Sequence, residues 1–212
     1  MEINLMDYTK LSNAVIAGRT CYQSWHLGGN YDVATDDITS ADAIYLNKLI
    51  NNLNHKSISR HVKYCFNVKG ISTKTLLGLS RHQSGVDLSV MSSRFCKPTK
   101  FGNNFTYTHN KQVDAMVKRH IRELNELNGS AEDIAYAYPQ AMQYDLVVSF
   151  NIQSLQHFIA MRDSSHANFD IKEMAQLLRD SLPESHKYLF GVSDDNWERT
   201  EHYYLHYAIN MI

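Results

Sequence analysis

The sequence predicts a single α+β domain over residues 1–212, and three observations support that fold class. Two segments, 61–68 and 144–150, have the apolar pattern of strands. Seven other segments have the apolar spacing or the cap residues of helices. Strands and helices are mixed along the chain, which contains only three prolines and no repeat or linker that would divide it. A chain of this length can bury a substantial core as one domain.

The first two predicted helices flank a polar loop. The helix over 9–20 has an apolar stripe formed by Leu11, Ala14, Val15 and Ala17. Residues 24–38 are polar and contain Gly28-Gly29-Asn30, the expected tip of the loop. The second helix is expected to begin at a cap at Thr39 or Ser40, because hydroxyls accept hydrogen bonds from the first turn. Its apolar positions are Ala43, Leu46, Ile50 and Leu53.

The middle of the chain combines a strand with two helices. In the strand over 61–68, one buried face is predicted from the alternating positions Val62, Tyr64, Phe66 and Val68. Ser72 is expected to cap the helix that leads to Arg81. An irregular stretch over 98–110 precedes a long helix over 111–128, which Gly129 is expected to end. Its predicted apolar face contains Val113, Met116, Val117, Leu124 and Leu127.

The last third is expected to begin with a short helix and then a strand. Ser130 with Asp133 resembles a capping box for a helix that ends before Pro139. The strand over 144–150 is followed by predicted helices near 152–163 and 169–181. Tyr203, Tyr204 and Tyr207 are typical of a docked C-terminal helix. His202 and His206 have a zinc-like spacing but no evident third ligand, so no metal site is predicted.

Composition excludes several classes of protein. The formal net charge of −1 provides no general attraction for nucleic acid. The N-terminus lacks a basic segment followed by a long apolar run, and no stretch approaches the ~20 apolar residues that span a bilayer. Cys21, Cys65 and Cys96 form no CxxC pair, which favours a reducing compartment. A cytoplasmic protein that binds neither nucleic acid nor membrane is therefore expected.

One segment concentrates side chains that suit phosphate and heterocycle recognition. Gly78-Leu79-Ser80-Arg81-His82-Gln83 comes shortly before Leu88-Ser89-Val90-Met91-Ser92-Ser93-Arg94-Phe95. Guanidinium groups donate several hydrogen bonds in a fixed geometry to oxygen acceptors, and hydroxyls add further donors. The alternative is a polar helix end with surface ion pairs.

The chain resembles the flavin-dependent thymidylate synthases over nearly its whole length, in five blocks that occur in the family's order. The fifth block is similar to the branch found in epsilon-proteobacteria. The blocks are Arg19-Thr20-Cys21-Tyr22-Gln23-Ser24; His55-Lys56-Ser57 with His61; Arg81-His82-Gln83 with Ser92 and Arg94-Phe95; Asn151-Ile152-Gln153-Ser154-Leu155 with Arg162; and Leu182-Pro183-Glu184-Ser185-His186-Lys187-Tyr188-Leu189-Phe190.

The resemblance implies a fold, an assembly and a reaction. The fold is a central, mostly antiparallel sheet with long flanking helices, assembled as a homotetramer whose active sites lie between subunits. The reaction is the reductive methylation of dUMP to dTMP. Methylenetetrahydrofolate is the carbon donor, and FAD reduced by NADPH supplies hydride. No cysteine nucleophile is needed, which agrees with the absence of an activating sequence context around the three cysteines.

The resemblance also assigns roles to individual residues. Arg162 is the expected catalytic residue, because it would stabilise negative charge that develops on the pyrimidine ring near N3. The nucleotide dUMP is expected to contact Arg81, Ser92, Ser93, Arg94 and Arg162. FAD is expected to contact Ser57, Arg81, His82, Gln83, Asn151, Gln153 and His157. The alternatives are a surface ion pair for Arg94, a structural histidine for His82 and a helix cap for Ser57.

Several positions depart from the family pattern. Gln83 and Gln153 stand where the family has arginines, His157 replaces an asparagine, and Ala135 replaces a basic residue. Gly78 occupies a position that is usually glutamine, and one extra residue lengthens the loop over 85–87. These departures leave two alternatives open. One is a paralogue that modifies another pyrimidine nucleotide, for example by hydroxymethylation of dUMP or dCMP. The other is a non-catalytic protein that binds nucleotide or flavin.

Overall fold

A four-stranded antiparallel sheet lies at the centre of the computed structural model, which describes residues 1–96 and 105–191. The strands follow the order β1-β2-β4-β3 across the sheet. They are β1 (Glu2–Tyr8), β2 (Lys63–Ser72), β3 (Val86–Val90) and β4 (Gln143–Asn151). The predicted α+β class with an antiparallel sheet is therefore confirmed.

Nine α-helices occur in the described part of the chain. The π-helical turn Lys48–Asn52 extends the second of them, and short 3₁₀ turns occur at Trp25–Leu27 and Tyr188–Phe190. The helices are α1 (Ser12–Tyr22), α2 (Ser40–Asn47), α3 (Lys56–Ser59), α4 (Thr73–Leu79), α5 (Lys111–Glu126), α6 (Ala131–Ala135), α7 (Ile152–Arg162), α8 (Phe169–Asp180) and α9 (Glu184–Lys187). None of the described helices is both long and apolar enough to cross a membrane.

The two central strands carry the core. One row of facing residues crosses the sheet through Leu5, Phe66, Val148 and Leu88. Phe66 and Val148 are fully buried, as expected for inner strands that are covered by helices. The predicted buried face is confirmed at all four positions, with Val62 directly before β2 and Tyr64, Phe66 and Val68 within it.

Cap residues were predicted correctly at three helix starts. The hydroxyls of Thr39, Ser72 and Ser130 each accept a hydrogen bond from the backbone N–H three residues later. Such a cap satisfies a donor that the helix itself leaves without a partner. These residues fix where α2, α4 and α6 begin.

Two strands were missed by the sequence analysis. Strand β1 alternates half-buried Ile3 and Leu5 with exposed residues, but it is short and lies at the edge of the sheet. Strand β3 lies inside the polar segment that was interpreted only as a binding motif. It pairs with β4 although three of its five residues are exposed. Backbone pairing therefore decides its conformation rather than burial of side chains.

Helix α5 buries less of its predicted apolar face than expected. Of that face only Leu124 is buried, together with Ile121, whereas Val113, Met116 and Leu127 are exposed. The helix also ends at Glu126, before the predicted end at 128. Residues 98–104 of the predicted irregular stretch lie outside the described residues. The same holds for His202, Tyr203, Tyr204, His206 and Tyr207.

A buried ion pair organises the loop between α1 and α2. Arg19 Nη2 donates to Asp42 Oδ1 at 2.7 Å and to the Leu27 carbonyl at 3.2 Å. Asp42 also accepts hydrogen bonds from the Gly29 N–H and the Tyr31 hydroxyl. Burial alone would raise the pKa of Asp42, but Arg19 and these donors lower it overall. Arg19 of the first family-like block is therefore a structural residue.

A second buried network ties the C-terminal block to the N-terminal part of the chain. The His186 ring lies between the Tyr64 hydroxyl, 2.8 Å from Nδ1, and Asp36 Oδ1, 2.7 Å from Nε2. A carboxylate only accepts, so Nε2 carries the proton and Nδ1 accepts from Tyr64 in neutral His186. Burial lowers the pKa of His186 even though Asp36 opposes that shift. The neutral imidazole therefore fits the network.

Candidate active site

Helix α7 forms the frame of the candidate site. It has 11 residues and is therefore about 16 Å long. Asn151 caps its N-terminus: Asn151 Oδ1 accepts from the Ser154 N–H at 2.8 Å, while Ser154 Oγ accepts from the Asn151 N–H at 3.0 Å. Arg162 is its last residue. The predicted site residues of the fourth block thus lie along one short helix.

The loop before β3 closes on the start of α7. The Gly85 carbonyl accepts hydrogen bonds from the Asn151 N–H and from the Ser154 hydroxyl. Gly85 has a φ of +71°, and a Cβ at this position would lie 2.1 Å from Asn151 Nδ2. Only glycine combines easy access to a positive φ with the absence of a Cβ. The lengthened loop over 85–87 therefore directly contacts Asn151, a residue that is predicted to bind FAD.

At the other end of α7, Arg162 and His82 form the tightest contact between predicted site residues. Arg162 Nε lies 3.2 Å and Nη2 lies 3.1 Å from His82 Nε2. Nη2 also lies 3.5 Å from the Gly78 carbonyl. Burial lowers the pKa of His82 below its ordinary value of 6.5, and the neighbouring Arg162 and His157 add to the shift. His82 is therefore neutral at pH 7 and accepts from the guanidinium.

Ring contacts hold His82 against α7. Its ring meets Phe158 edge-on at 5.0 Å between centroids, and the His157 ring lies 5.6 Å away. The His82 ring is thus held by side chains of α7. Arg81 and Gln83 on either side are exposed. Neither makes a side-chain hydrogen bond within residues 1–96 and 105–191.

Gly78 allows close packing next to this contact. A Cβ at Gly78 would lie 2.7 Å from Ile171 Cδ1, and Ile171 is buried in α8. A side chain at this position would require the end of the Ile171 side chain to move. Ala135 is half-buried in α6, and nothing in the structure explains the loss of a basic residue there.

Two basic residues at α3 reach across to glutamines of α7. Arg60, directly after α3, donates from Nε to Gln153 Oε1 at 2.9 Å. Lys56 donates from Nζ to Gln156 Oε1 at 3.3 Å, and burial lowers the pKa of Lys56. Sequence reasoning missed Arg60, although its position three residues after Ser57 places it on the next turn. The structure thus places a guanidinium beside Gln153, which stands where the family pattern has an arginine.

Ser57 faces another part of the molecule. It lines a groove of about 510 Å³ between α1 and α3, together with Cys21 and His61. Ser57 does not cap α3, because His55 occupies the cap position. His55 in turn contacts the Tyr22 hydroxyl, with Nε2 at 2.9 Å. The first and second family-like blocks therefore meet at this groove, whereas the third and fourth meet at α7.

The predicted phosphate-binding residues form a turn after β3. Ser92 accepts hydrogen bonds at its carbonyl from the Cys96 and Phe95 N–H groups. The exposed Arg94 pairs with Glu132 of α6, with Nε 3.3 Å from Oε1. This is the surface ion pair that the sequence left as an alternative, and exposed pairs contribute little to stability. Arg94 thus stays accessible to an anion that competes with Glu132.

The available side chains fit a flavin dinucleotide in their chemistry. Amide and imidazole groups match the alternating donors and acceptors of a flavin ring, and guanidinium groups match a diphosphate. The carboxamide Nδ2 of Asn151 borders Gly85, where a Cβ would fill the space. No cluster of three His, Cys, Asp or Glu side chains that could hold a metal occurs in the described part of the chain.

The chain is similar to known proteins over most of its length. A family model described as thymidylate synthase complementing protein matches residues 4–186. A flavin-dependent thymidylate synthase of Helicobacter pylori is 32% identical over 210 residues, which cover 90% of this chain and 97% of that protein. A protein of the same name from Wolinella succinogenes is 29% identical, over 92% of this chain and 100% of that protein.

Solved structures show the same fold. A crystal structure of thymidylate synthase X from Helicobacter pylori with FAD and dUMP has a TM-score of 0.80 at 30% identity. The matched region covers 90% of this chain and 97% of the Helicobacter pylori chain. A UMP/dUMP methylase from Streptomyces cacaoi has a TM-score of 0.68 at 17% identity, which shows the fold alone. The alternatives of a different pyrimidine substrate or a non-catalytic protein are not favoured by these relatives.

Proposed function

Because the chain belongs to the family of thymidylate synthase complementing proteins, we propose that it is a flavin-dependent thymidylate synthase. It converts dUMP to dTMP by reductive methylation. Methylenetetrahydrofolate provides the one-carbon unit and NADPH provides the reducing equivalents, so tetrahydrofolate and NADP⁺ are the other products. FAD, when bound, would supply the hydride-transfer chemistry that links oxidation of NADPH to reduction of the transferred carbon.

The contact between Arg162 and neutral His82 is the observation that carries this proposal. His82 accepts from Nε and Nη2 of Arg162, so the plane of the guanidinium is fixed. Nη1 makes no hydrogen bond within the described ranges. A preorganised cation stabilises negative charge as it develops, because it need not reorient during the reaction. Arg162 therefore holds the uracil ring and stabilises charge near N3.

The nucleotide phosphate is bound by the turn after β3. Ser92, Ser93 and Arg94 supply hydroxyls and a guanidinium, and Arg81 completes that wall. The exposure of Arg94 supports this role, because its ion pair with Glu132 can exchange for a phosphate at little cost. Charge-assisted hydrogen bonds to phosphate are stronger than this surface pair.

FAD is bound along α7 and at the groove beside α1. His82, Gln83 and Arg81 contact it from the loop after α4, and Ser57 contacts it from the groove. Asn151, Gln153 and His157 contact it from α7 itself. Support comes from the position of Gln153 and His157, which are four residues apart and so lie on one helix face.

The enzyme works as a homotetramer in the cytoplasm. The exposed apolar side chains of Val113 and Met116 on α5, and of Leu127 directly after it, support burial against another subunit. The three cysteines are all unpaired, as suits a reducing compartment. A single domain over residues 1–212 is part of this proposal.

Mass spectrometry of nucleotides tests the reaction. The purified protein is incubated with FAD, NADPH, methylenetetrahydrofolate and a mixture of dUMP and dCMP. We expect dTMP and unchanged dCMP. A hydroxymethyl product or a modified dCMP would contradict the proposed substrate or reaction. No product in the presence of bound flavin would contradict catalysis.

A further inference from the structure

The guanidinium of Arg60 lies beside position 153, where the family has an arginine and this chain has a glutamine. Its Nε donates to Gln153 Oε1 at 2.9 Å, and its side chain is exposed. Within residues 1–96 and 105–191 Arg60 forms no ion pair. Gln153 is a neutral acceptor, so this contact orients the guanidinium without cancelling its charge. The two Nη groups carry four further N–H donors.

We propose that Arg60 binds an anionic oxygen of the flavin dinucleotide, and that Gln153 is the residue that positions it. The inference rests on the proposed function, because it takes FAD as the ligand. A diphosphate is the most negatively charged part of FAD, and a guanidinium binds such oxygens with two parallel hydrogen bonds. The cation that the family pattern places on α7 is thereby supplied from the residue after α3.

Charge balance explains why Arg60 and Gln153 belong together. An arginine at position 153 would place two guanidinium groups within hydrogen-bonding reach, and their repulsion would displace one of them. Lys56 lies one helical turn before Arg60 and is also held by a neutral amide, that of Gln156. The edge between α3 and α7 therefore carries two cations whose side-chain partners are both uncharged. Such an edge favours an anionic ligand.

Flavin affinity tests this inference without any turnover. FAD binding to the purified full-length protein is followed by quenching of flavin fluorescence at several salt concentrations. The variants are Arg60→Gln, the double variant Arg60→Gln with Gln153→Arg, and the control Arg119→Gln. Arg119 is an exposed arginine of α5 that pairs only weakly with Glu123, at 3.8 Å. Thermal melts confirm that each variant is folded.

We expect Arg60→Gln to weaken FAD binding by at least about tenfold, which corresponds to about 1.4 kcal/mol. Its affinity should also depend less on salt, because one charged contact is lost. The double variant should bind FAD more tightly than Arg60→Gln, because it returns a guanidinium to the same edge. The control should bind FAD as the parent does.

Binding of FAD to a folded Arg60→Gln within about twofold of the parent would overturn the role of Arg60. If the double variant binds FAD no more tightly than Arg60→Gln does, the inference that Arg60 replaces the family's arginine at position 153 would be overturned. A parent that binds FAD through Arg60 but makes no dTMP would leave this inference standing and contradict the proposed function. A parent that binds no FAD would contradict both.

Discussion

Arg162 donates through two nitrogens to a single ring nitrogen of His82, although the two residues are 80 positions apart in the chain. A ring nitrogen that accepts cannot carry a proton, so the remaining proton of His82 lies on Nδ1. The pKa of His82 is lowered mainly by burial, which favours the neutral imidazole, and the donors of Arg162 select this tautomer. The charge state of one residue thus sets the orientation of the other.

Removal of the Arg162 guanidinium should abolish most of the turnover. Arg162→Ala is expected to lower kcat by about 10²–10³, the usual effect of losing one preorganised donor at a developing charge. Arg119→Ala serves as the control, because its partner Glu123 is exposed as well. The readouts are dTMP formation and oligomeric state by size-exclusion chromatography. Turnover retained by Arg162→Ala would contradict its assigned role.

The pH dependence of turnover should report on His82. Burial, with Arg162 and His157 nearby, lowers the pKa of His82 below its ordinary value of 6.5, so the neutral form predominates at pH 7. Protonation at lower pH places a second positive charge beside Arg162 and removes its acceptor. Turnover is therefore expected to fall as the pH drops below 6.5. In His82→Gln, which keeps an acceptor but cannot titrate, the acid limb should weaken; an unchanged acid limb would assign the effect to another group.

A side chain at Gly85 should damage both stability and flavin binding. Gly85→Ala forces alanine into a positive φ and drives its Cβ into the Asn151 amide. A loss of about 1–3 kcal/mol in the free energy of unfolding is expected from such strain. Urea unfolding and FAD titration measure the two effects. Gly129→Ala is the matched control, since its Cβ would meet only ordinary contacts at 3.7 Å. Equal effects of the two substitutions would argue against this role.

Loss of the Asp42 carboxylate should strongly destabilise the fold. The side chains of Arg19 and Asp42 are 5% and 1% exposed, so Asp42→Ala leaves a buried guanidinium without its counter-charge. Breaking a buried pair in this way costs about 3–5 kcal/mol. The exposed neighbour Asp37 provides a control, where replacement by alanine should change stability by less than about 0.5 kcal/mol. Urea denaturation distinguishes the two; similar midpoints would show that the pair contributes little.

The stability of the protein should fall on mild acidification because of His186. Its pKa is lowered in the folded state, so between that pKa and 6.5 the unfolded chain binds more protons. The free energy of unfolding therefore decreases as the pH falls through this window and is insensitive to His186 above it. His186→Gln should flatten the dependence measured by urea unfolding between about pH 5 and 7.5. The control substitution His26→Gln, at an exposed histidine, should not flatten this pH dependence.

The sequence was most informative where one local rule decides the structure. The hydroxyl caps at Thr39, Ser72 and Ser130 and the buried alternation of β2 follow from local chemistry, and all were predicted. The edge strand β1 and the polar strand β3 were missed, because their conformation depends on pairing with strands distant in the chain. The exposed face of α5 also differs from expectation, since amphipathic spacing cannot tell which neighbour covers it.

The sequence proposes members of the candidate site but does not reveal their partners in the fold. The family-like blocks drew attention to His82, Asn151, Gln153 and Arg162, and the structure brings these residues to α7. No sequence spacing links Arg60 to Gln153, which is 93 positions away. Nor does the sequence reveal that Gly85 presses on Asn151, because that contact depends on a positive φ in a loop of unusual length.

The hydrogen bond between His186 and Asp36 joins residues 150 positions apart. A contact of such high sequence separation forms late, because the entropy of closing the intervening chain must be overcome first. During synthesis, Asp36 leaves the ribosome long before His186 does. Asp36 in the N-terminal loop and the Tyr64 hydroxyl therefore gain this partner only after synthesis has passed His186. Until then, the emerging chain lacks the link between the N-terminal loop and α9.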